Sequence, residues 1–226
     1  MTNKFKPSKI TLVIPAKKEK ESLPAVLKEL KKYQFKLIIV LEKNDIETIE
    51  SIKQFKKKLI FQKRKGYGDA LRLGIKNVKT PFFCIFNADG SFNPKEINLF
   101  YKKLIKTRSD IVFGSRYEKR GGSKDDTMIT WIGNKIFTAM GTVLFRLPIT
   151  DILYTFVIGN TIKVNKLKLK SFDFRYCVEL PIQANKNFLK IISCHSIERP
   201  RIAGVKKVNA FKDGFMILKE MIKQFF

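Results

Sequence analysis

The chain contains the run Phe82-Phe83-Cys84-Ile85-Phe86, entered from Pro81 and left through Asn87-Ala88-Asp89-Gly90-Ser91. An unbroken apolar run bounded in this way cannot alternate between core and solvent. It predicts a strand buried on both faces, as in a parallel sheet covered by helices. Parallel neighbours need long crossovers, usually helical, so this run constrains the chain on either side of it. In such an open sheet, ligands collect outside the carboxyl ends of the strands, where Asp89 would stand. A carboxylate there can hold a divalent cation and, through it, a diphosphate. The alternative for Asp89-Gly90 is an ordinary turn.

The flanking pattern agrees with a layered α/β fold. Ile10 to Pro15 form a β-branched apolar run, and Leu23, Val26, Leu27 and Leu30 then recur at helical spacing. Strand signals follow at 37–41, 59–61 and 111–113, with helical patterns at 46–55, 66–75 and 97–105 between them. Repeated strand and helix units imply a mainly parallel, doubly wound sheet. Later, Gly121-Gly122-Ser123-Lys124 reads as a flexible break before a helix at 128–145. Residues 156–164 read as a strand, 176–186 as a short helix and 188–194 as another strand. Glu198 to Lys207 form a basic loop suited to clamping an anion, and the last helix carries Phe211, Phe215, Leu218, Ile222 and Phe225 on one face.

Length and composition then set limits. With 226 residues and 44% hydrophobic content, one core and one domain over 1–226 are expected. Within it, 1–115 would form a first half, 116–208 a second half and 209–226 an amphipathic helix. Cys84, Cys177 and Cys194 are an odd, unpaired set, which argues against a disulfide framework or zinc site and fits a reduced, intracellular setting. The amino terminus lacks an apolar signal core, and the longest uncharged runs, 136–145 and 152–162, fall short of the ~20 residues that span a bilayer. The net charge of +26 calls for an anionic partner: nucleic acid, an acidic lipid surface or a phosphorylated substrate. The lysines are scattered through the chain without an aromatic-basic recognition motif, so no nucleic-acid partner is expected.

Taken together, these segments resemble the family 2 glycosyltransferases of the GT-A fold, most closely the dolichyl-phosphate mannose synthase-like branch. The resemblance runs from about Ile10 to Lys219. Val13-Ile14-Pro15-Ala16-Lys17-Lys18-Glu19 is similar to the family's opening strand end, Arg64-Lys65-Gly66-Tyr67-Gly68 to its basic, glycine-rich approach to the nucleotide, and Asn87-Ala88-Asp89 to its Asp-x-Asp metal motif. Gly114-Ser115-Arg116-Tyr117, Asn134, Asp151, Glu179 and Arg201-x-x-Gly204-x-x-Lys207 also fall where the family has like residues. The resemblance implies an inverting transferase, with a nucleotide-sugar donor held by Pro15, Ala16, Glu19, Glu42, Lys65, Gly66, Asn87, Ala88, Asp89, Arg201 and Lys207. It implies Mg2+ or Mn2+ at Asp89 and Asn87, and reaction chemistry at Asp89, Arg116, Asp151 and Glu179. The same resemblance implies a nucleotide-sugar role for 1–115, an acceptor role for 116–208 and a polyprenyl phosphate or another glycan acceptor; with the +26 charge and the amphipathic helix at 209–226, that acceptor implies a peripheral position on an anionic, cytoplasmic membrane face.

The chain also departs from the family pattern. Leu41-Glu42 replaces two aspartates, Asn87 replaces the first metal carboxylate, Trp131 stands near an expected arginine, and Val157 near another basic position. An amide oxygen adds no charge toward a divalent ion, so metal binding should weaken. A hydroxyl acceptor would need a general base such as Asp151 or Glu179, whereas a phosphate acceptor would need none and would be positioned by Arg116. Two other classes stay open: a nucleic-acid module, and a non-catalytic relative that serves as a scaffold. A sugar nucleotidyltransferase is disfavoured because no glycine-rich loop follows Val13.

Overall fold

The computed structural model describes residues 5–204 and 209–226. Its first half follows the expected alternation: β1 (Ile10–Pro15), α1 (Leu23–Leu30), β2 (Lys36–Leu41), α2 (Ile46–Ser51), β3 (Lys58–Phe61), α3 (Tyr67–Lys76), β4 (Phe82–Ile85), α4 (Lys95–Thr107) and β5 (Ile111–Ser115). There follow β6 (Gly122–Ser123), α5 (Met128–Phe145), β7 (Val157–Asn160), α6 (Thr161–Asn165), α7 (Tyr176–Lys186), β8 (Ile191–His195), β9 (Ile197–Glu198) and α8 (Ala210–Phe225). Seven strands form one sheet in the order β3-β2-β1-β4-β7-β5-β8, and β6 pairs with β9 in a small second sheet.

The central run behaves as its composition dictates. Phe83 and Ile85 face one core with Val13, Val40 and Leu71, while Cys84 and Phe86 face the other with Leu12, Ile14 and Phe100. Both faces are covered because α3 and α7 contribute to the first core and α1 and α4 to the second. The three cysteines are buried and unpaired, and burial raises Cys194 to about 11 and Cys177 to about 12. They are therefore packing groups rather than nucleophiles.

Two sequence expectations need correction. The strand expected over 156–164 is confined to Val157–Asn160 and runs antiparallel to both β4 and β5. Asn160 then turns the chain into α6, its side chain accepting from the Lys163 amide at 3.0 Å. An apolar run carries no direction, so periodicity could not reveal the reversal. The expected flexible break is instead tied down: the Gly122 amide donates to Ser196 O at 3.0 Å and the Lys124 amide to Glu198 O at 3.0 Å.

One close backbone approach positions the site. Gly66, at φ +125°, begins α3 directly against the 171–173 segment, and a Cβ on it would lie 2.2 Å from the Phe172 carbonyl oxygen. The Asp69 amide donates to that same oxygen at 2.9 Å. Gly66→Ala should therefore lower stability by about 1–3 kcal/mol, through overlap and an unfavourable φ. Gly122→Ala, whose Cβ would meet nothing within 4 Å, should change it by less than about 0.5 kcal/mol. Thermal denaturation of the two variants checks this difference.

Candidate active site

Three neighbouring parallel strands end at one edge of the sheet. Pro15 pairs with Val40, the Ala16 amide donates to Val40 O at 2.9 Å, and the Phe86 amide donates to Val13 O at 3.0 Å. Pro15-Ala16, Glu42 and Asn87-Ala88-Asp89 are thus delivered side by side, as the position of strand ends requires. Next to them lies a cavity of about 540 Å³, walled by Lys17, Glu19, Glu42, Asp45 and Gly204. Glu42 pairs with Lys17 at 3.1 Å. Buried Glu19 accepts from the Ser22 hydroxyl at 2.5 Å, and its amide donates to Thr48 Oγ1 at 3.0 Å. Lys65 is exposed at the approach to Gly66.

Asp89 sits on a turn that its own side chain builds. Its Oδ1 accepts from the Ser91 amide at 3.0 Å and the Ser91 hydroxyl at 2.7 Å. Its Oδ2 lies 4.0 Å from Arg201 Nη1. The basic loop is laced onto this turn: the Ile202 amide donates to Asp89 O and the Arg199 amide to Ser91 O, both at 2.8 Å. Gly90 is needed there, because its φ is +84° and a Cβ would lie 2.5 Å from Ile202 Cδ1. Arg201 is held by Asp125 at 2.8 Å, a hydrogen bond that raises its guanidinium further and keeps it charged. Lys207 lies outside the described residues.

Asn87 is oriented from both sides. Its Oδ1 accepts from the Tyr67 hydroxyl at 3.3 Å, and its Nδ2 donates to Ser91 Oγ at 3.4 Å. Tyr67 stacks on Phe174 with ring centroids 5.1 Å apart and shares a 2.8 Å hydrogen bond with Thr155. Burial pushes the Tyr67 hydroxyl well up, so it stays protonated and able to donate. Among the described residues no cluster of three or more His, Cys, Asp or Glu side chains could hold a metal ion. The donor set of one carboxylate and one amide oxygen suits a hard cation only when diphosphate oxygens complete its shell.

A buried ion-pair network centred on Arg116 lies beyond the carboxyl end of β5. Arg116 donates to Asp151 from Nε at 2.8 Å, from Nη2 at 3.0 Å and from its own amide at 3.1 Å. Its Nη1 lies 3.2 Å from Glu198 and 3.7 Å from Asp126. Asn134, on α5, donates to Asp151 Oδ1 at 2.5 Å, and Ser123 donates to Glu198 at 2.5 Å. Burial would pull the Arg116 pKa down, but Asp151 and Glu198 outweigh it and raise it well above its ordinary range.

This geometry revises three expected roles. Arg116 is directed into carboxylates rather than out toward a phosphate. Asp151 is 0% exposed and saturated by Arg116 and Asn134, so it positions Arg116 and cannot serve as a base. Glu179, also buried, accepts from the Lys170 amide at 2.7 Å and the Ser171 amide at 2.8 Å. It therefore acts on the segment that packs on Gly66 and Gly68. Sequence reasoning missed Ser91, Asp125, Asp126 and the role of Tyr67. The first was legible as an Asp-x-Ser turn, whereas the Asp125 to Arg201 contact spans 76 residues and had no local signal.

With this geometry in place, comparison with known proteins identifies the family. A model of glycosyl transferase family 2 matches residues 11–167. The chain belongs to glycosyl transferase family 2. An uncharacterized protein of Methanocaldococcus jannaschii is 25% identical over 231 residues, covering 97% of this chain and 95% of the relative. An uncharacterized glycosyltransferase of Mycobacterium tuberculosis is 26% identical over 210 residues, covering 92% of this chain and 93% of its own length. The glucosyl-3-phosphoglycerate synthase of Mycobacterium tuberculosis, solved with Mn2+, UDP and glucosyl-3-phosphoglycerate, superposes with a TM-score of 0.74 at 13% identity. That match covers 95% of this chain and 79% of the synthase, and it shows that the family 2 chain has the GT-A fold.

The ion-pair network makes a test of this side of the family 2 site. Arg116→Met would strand the fully buried Asp151 without its counter-charge, and should cost about 3–5 kcal/mol. The double variant Arg116→Met/Asp151→Leu should recover part of that loss. Urea unfolding midpoints of the wild type, single and double variants measure both effects.

Proposed function

We propose that the chain is an inverting glycosyltransferase that moves a sugar from a nucleoside diphosphate donor to a phosphate-bearing acceptor, a polyprenyl phosphate. The observation that carries the acceptor reading is the state of the carboxylates on that side. Asp151 and Glu198 are committed to Arg116 and Asp125 to Arg201, while Asp126 accepts from the Tyr117 hydroxyl at 2.9 Å and from Thr130, with Arg116 3.7 Å away. A hydroxyl acceptor needs a base to take its proton, whereas a phosphate oxygen arrives already anionic. A site whose acidic groups are neutralised by arginine favours the second.

In this reading the donor base and ribose enter the cavity beside Glu19 and Glu42, and the diphosphate lies over the Asn87 to Asp89 turn. The solved synthases with UDP and Mn2+ or Mg2+ support this placement by their shared fold. A divalent cation bound there would be held by Asp89 and the Asn87 oxygen and would neutralise charge on the departing diphosphate. Tyr67 and Ser91 keep Asn87 and Asp89 in place for it. Arg201, held by Asp125 and 4.0 Å from Asp89, closes the charge on the other side. The acceptor phosphate oxygen forms the new bond to the anomeric carbon while the bond from that carbon to the diphosphate oxygen breaks, which inverts the centre. Neither step transfers a proton, so neither needs a base.

The test is transfer of labelled sugar from a panel of nucleotide sugars to a short-chain polyprenyl phosphate, with the free polyprenol and 3-phosphoglycerate as competing acceptors. Product with the polyprenyl phosphate, lost in Asp89→Ala without loss of folding, supports the proposal. Product only with a hydroxyl acceptor, or none with any donor, contradicts it. Asn87→Asp adds the missing charge and should lower the Mn2+ concentration for half-maximal turnover by roughly tenfold, equivalent to ~1.4 kcal/mol at the cation. A metal titration of turnover reads this directly.

A further inference from the structure

The helices α5 and α8 lie side by side and run in the same direction: a Cβ on Gly214 would touch the Phe137 ring, and eleven residues later Phe225 meets Phe145 at 6.0 Å. The exposed side of α5 carries Met128, Ile129, Ile132, Ile136 and Val143, with Met128 79% exposed. That of α8 carries Phe211, Phe215, Ile222 and Phe225, with Phe211 81% exposed. Most of the large apolar side chains exposed among the described residues belong to these two helices. No helix among them is long and apolar enough to cross a membrane.

Helical periodicity places these residues relative to one another. Going round α8, the buried side (Asp213, Ile217, Glu220, Met221) is followed by the side facing α5 (Gly214), then the apolar stripe, then Lys212, Lys219 and Lys223. Going round α5 the other way, the buried side (Asn134, Gly141, Phe145) is followed by the side facing α8 (Phe137), then the apolar stripe, then Lys135. The two stripes therefore adjoin over the shared contact and form one apolar strip with lysines on both outer rims. Its charge is of one sign. Helix α5 contains no acidic residue, and both acids of α8 are turned inward: Asp213 accepts from the Asn209 amide at 2.7 Å, and Glu220 accepts from Gln224 at 2.8 Å.

We propose that the joint α5 and α8 face is a docking surface for an anionic lipid bilayer, into which the strip inserts while the lysine rims meet the headgroups. An apolar band with aromatic side chains and a basic border is the composition that lies in a bilayer interface. A second copy of the chain fits less well, because a symmetric pairing would bring the lysine rims together with no carboxylate to receive them. The surface also abuts the site. Lys135 lies 4.3 Å from the centre of the Tyr117 ring, next to Arg116, so the bilayer plane would pass the acceptor side. This inference concerns lipid binding alone and stands or falls separately from the transfer chemistry.

Flotation of the full chain, without nucleotide, on phosphatidylglycerol and phosphatidylcholine vesicles tests it. Recovery on phosphatidylglycerol should exceed that on phosphatidylcholine, and should fall at least about fivefold for Ile132→Asp/Ile136→Asp, whose exposed positions leave the melting temperature unchanged. No flotation, equal recovery on the two lipids, or recovery unaffected by the α5 pair would overturn the proposal. So would a lipid-free dimer that the same pair dissociates.

Discussion

Parallel strands deliver all their carboxyl ends to one edge, and the rest of this molecule depends on that constraint. Because β2, β1 and β4 are neighbours in one direction, Glu42, Pro15-Ala16 and Asn87-Ala88-Asp89 meet without any of them being close in sequence. The two cores that cover the sheet hold those ends rigidly, and the loops beyond them are free to carry chemistry. The basic loop at 199–204 then reaches across from the far side of the sheet and is stitched to the Asp89 turn by backbone hydrogen bonds. The same few residues are thus set by β4 on one side and by β9 on the other.

The region beyond β5 follows a different logic. Its centre is one guanidinium, Arg116, surrounded by Asp151, Glu198 and Asp126, with Asn134 bracing Asp151 from α5. Breaking such a network costs much more than forming it contributes, so it is better understood as fixing geometry than as adding stability. It joins β5, β9, α5 and the segment before β7, and so links the small second sheet to the large one. Helix α5 takes part in both this network and the exposed apolar strip, which couples the orientation of that surface to the orientation of the site.

The sequence revealed what is local and periodic. Phe82 to Phe86 announced a strand buried on both faces, and Asp89 announced its ligand-facing end, because both depend on near neighbours alone. The direction of β7 was hidden, since Val157 to Asn160 read the same in either sense. The partners of Arg116 were hidden too, since Asp151 and Glu198 are 35 and 82 residues away and the family position of Asp151 suggested substrate rather than Arg116. Glu179 shows the same limit: a buried acid on a helix does not declare whether it faces a ligand or a backbone amide. The strip on α5 went unread because its apolar residues look like core packing until α8 is seen to cover only one flank.

In the proposed function Asp89 binds a divalent cation only jointly with a nucleoside diphosphate, since Asn87 supplies no charge and Arg201, paired with Asp125, already stands 4.0 Å from Asp89. Calorimetric titration of nucleoside diphosphates into the full chain, with Mn2+ or with a chelator, tests it most directly. One nucleotide is expected to bind at least about tenfold more tightly with Mn2+, a difference that Asp89→Ala removes. Equal binding in chelator, or a Mn2+ effect that survives Asp89→Ala, would contradict it.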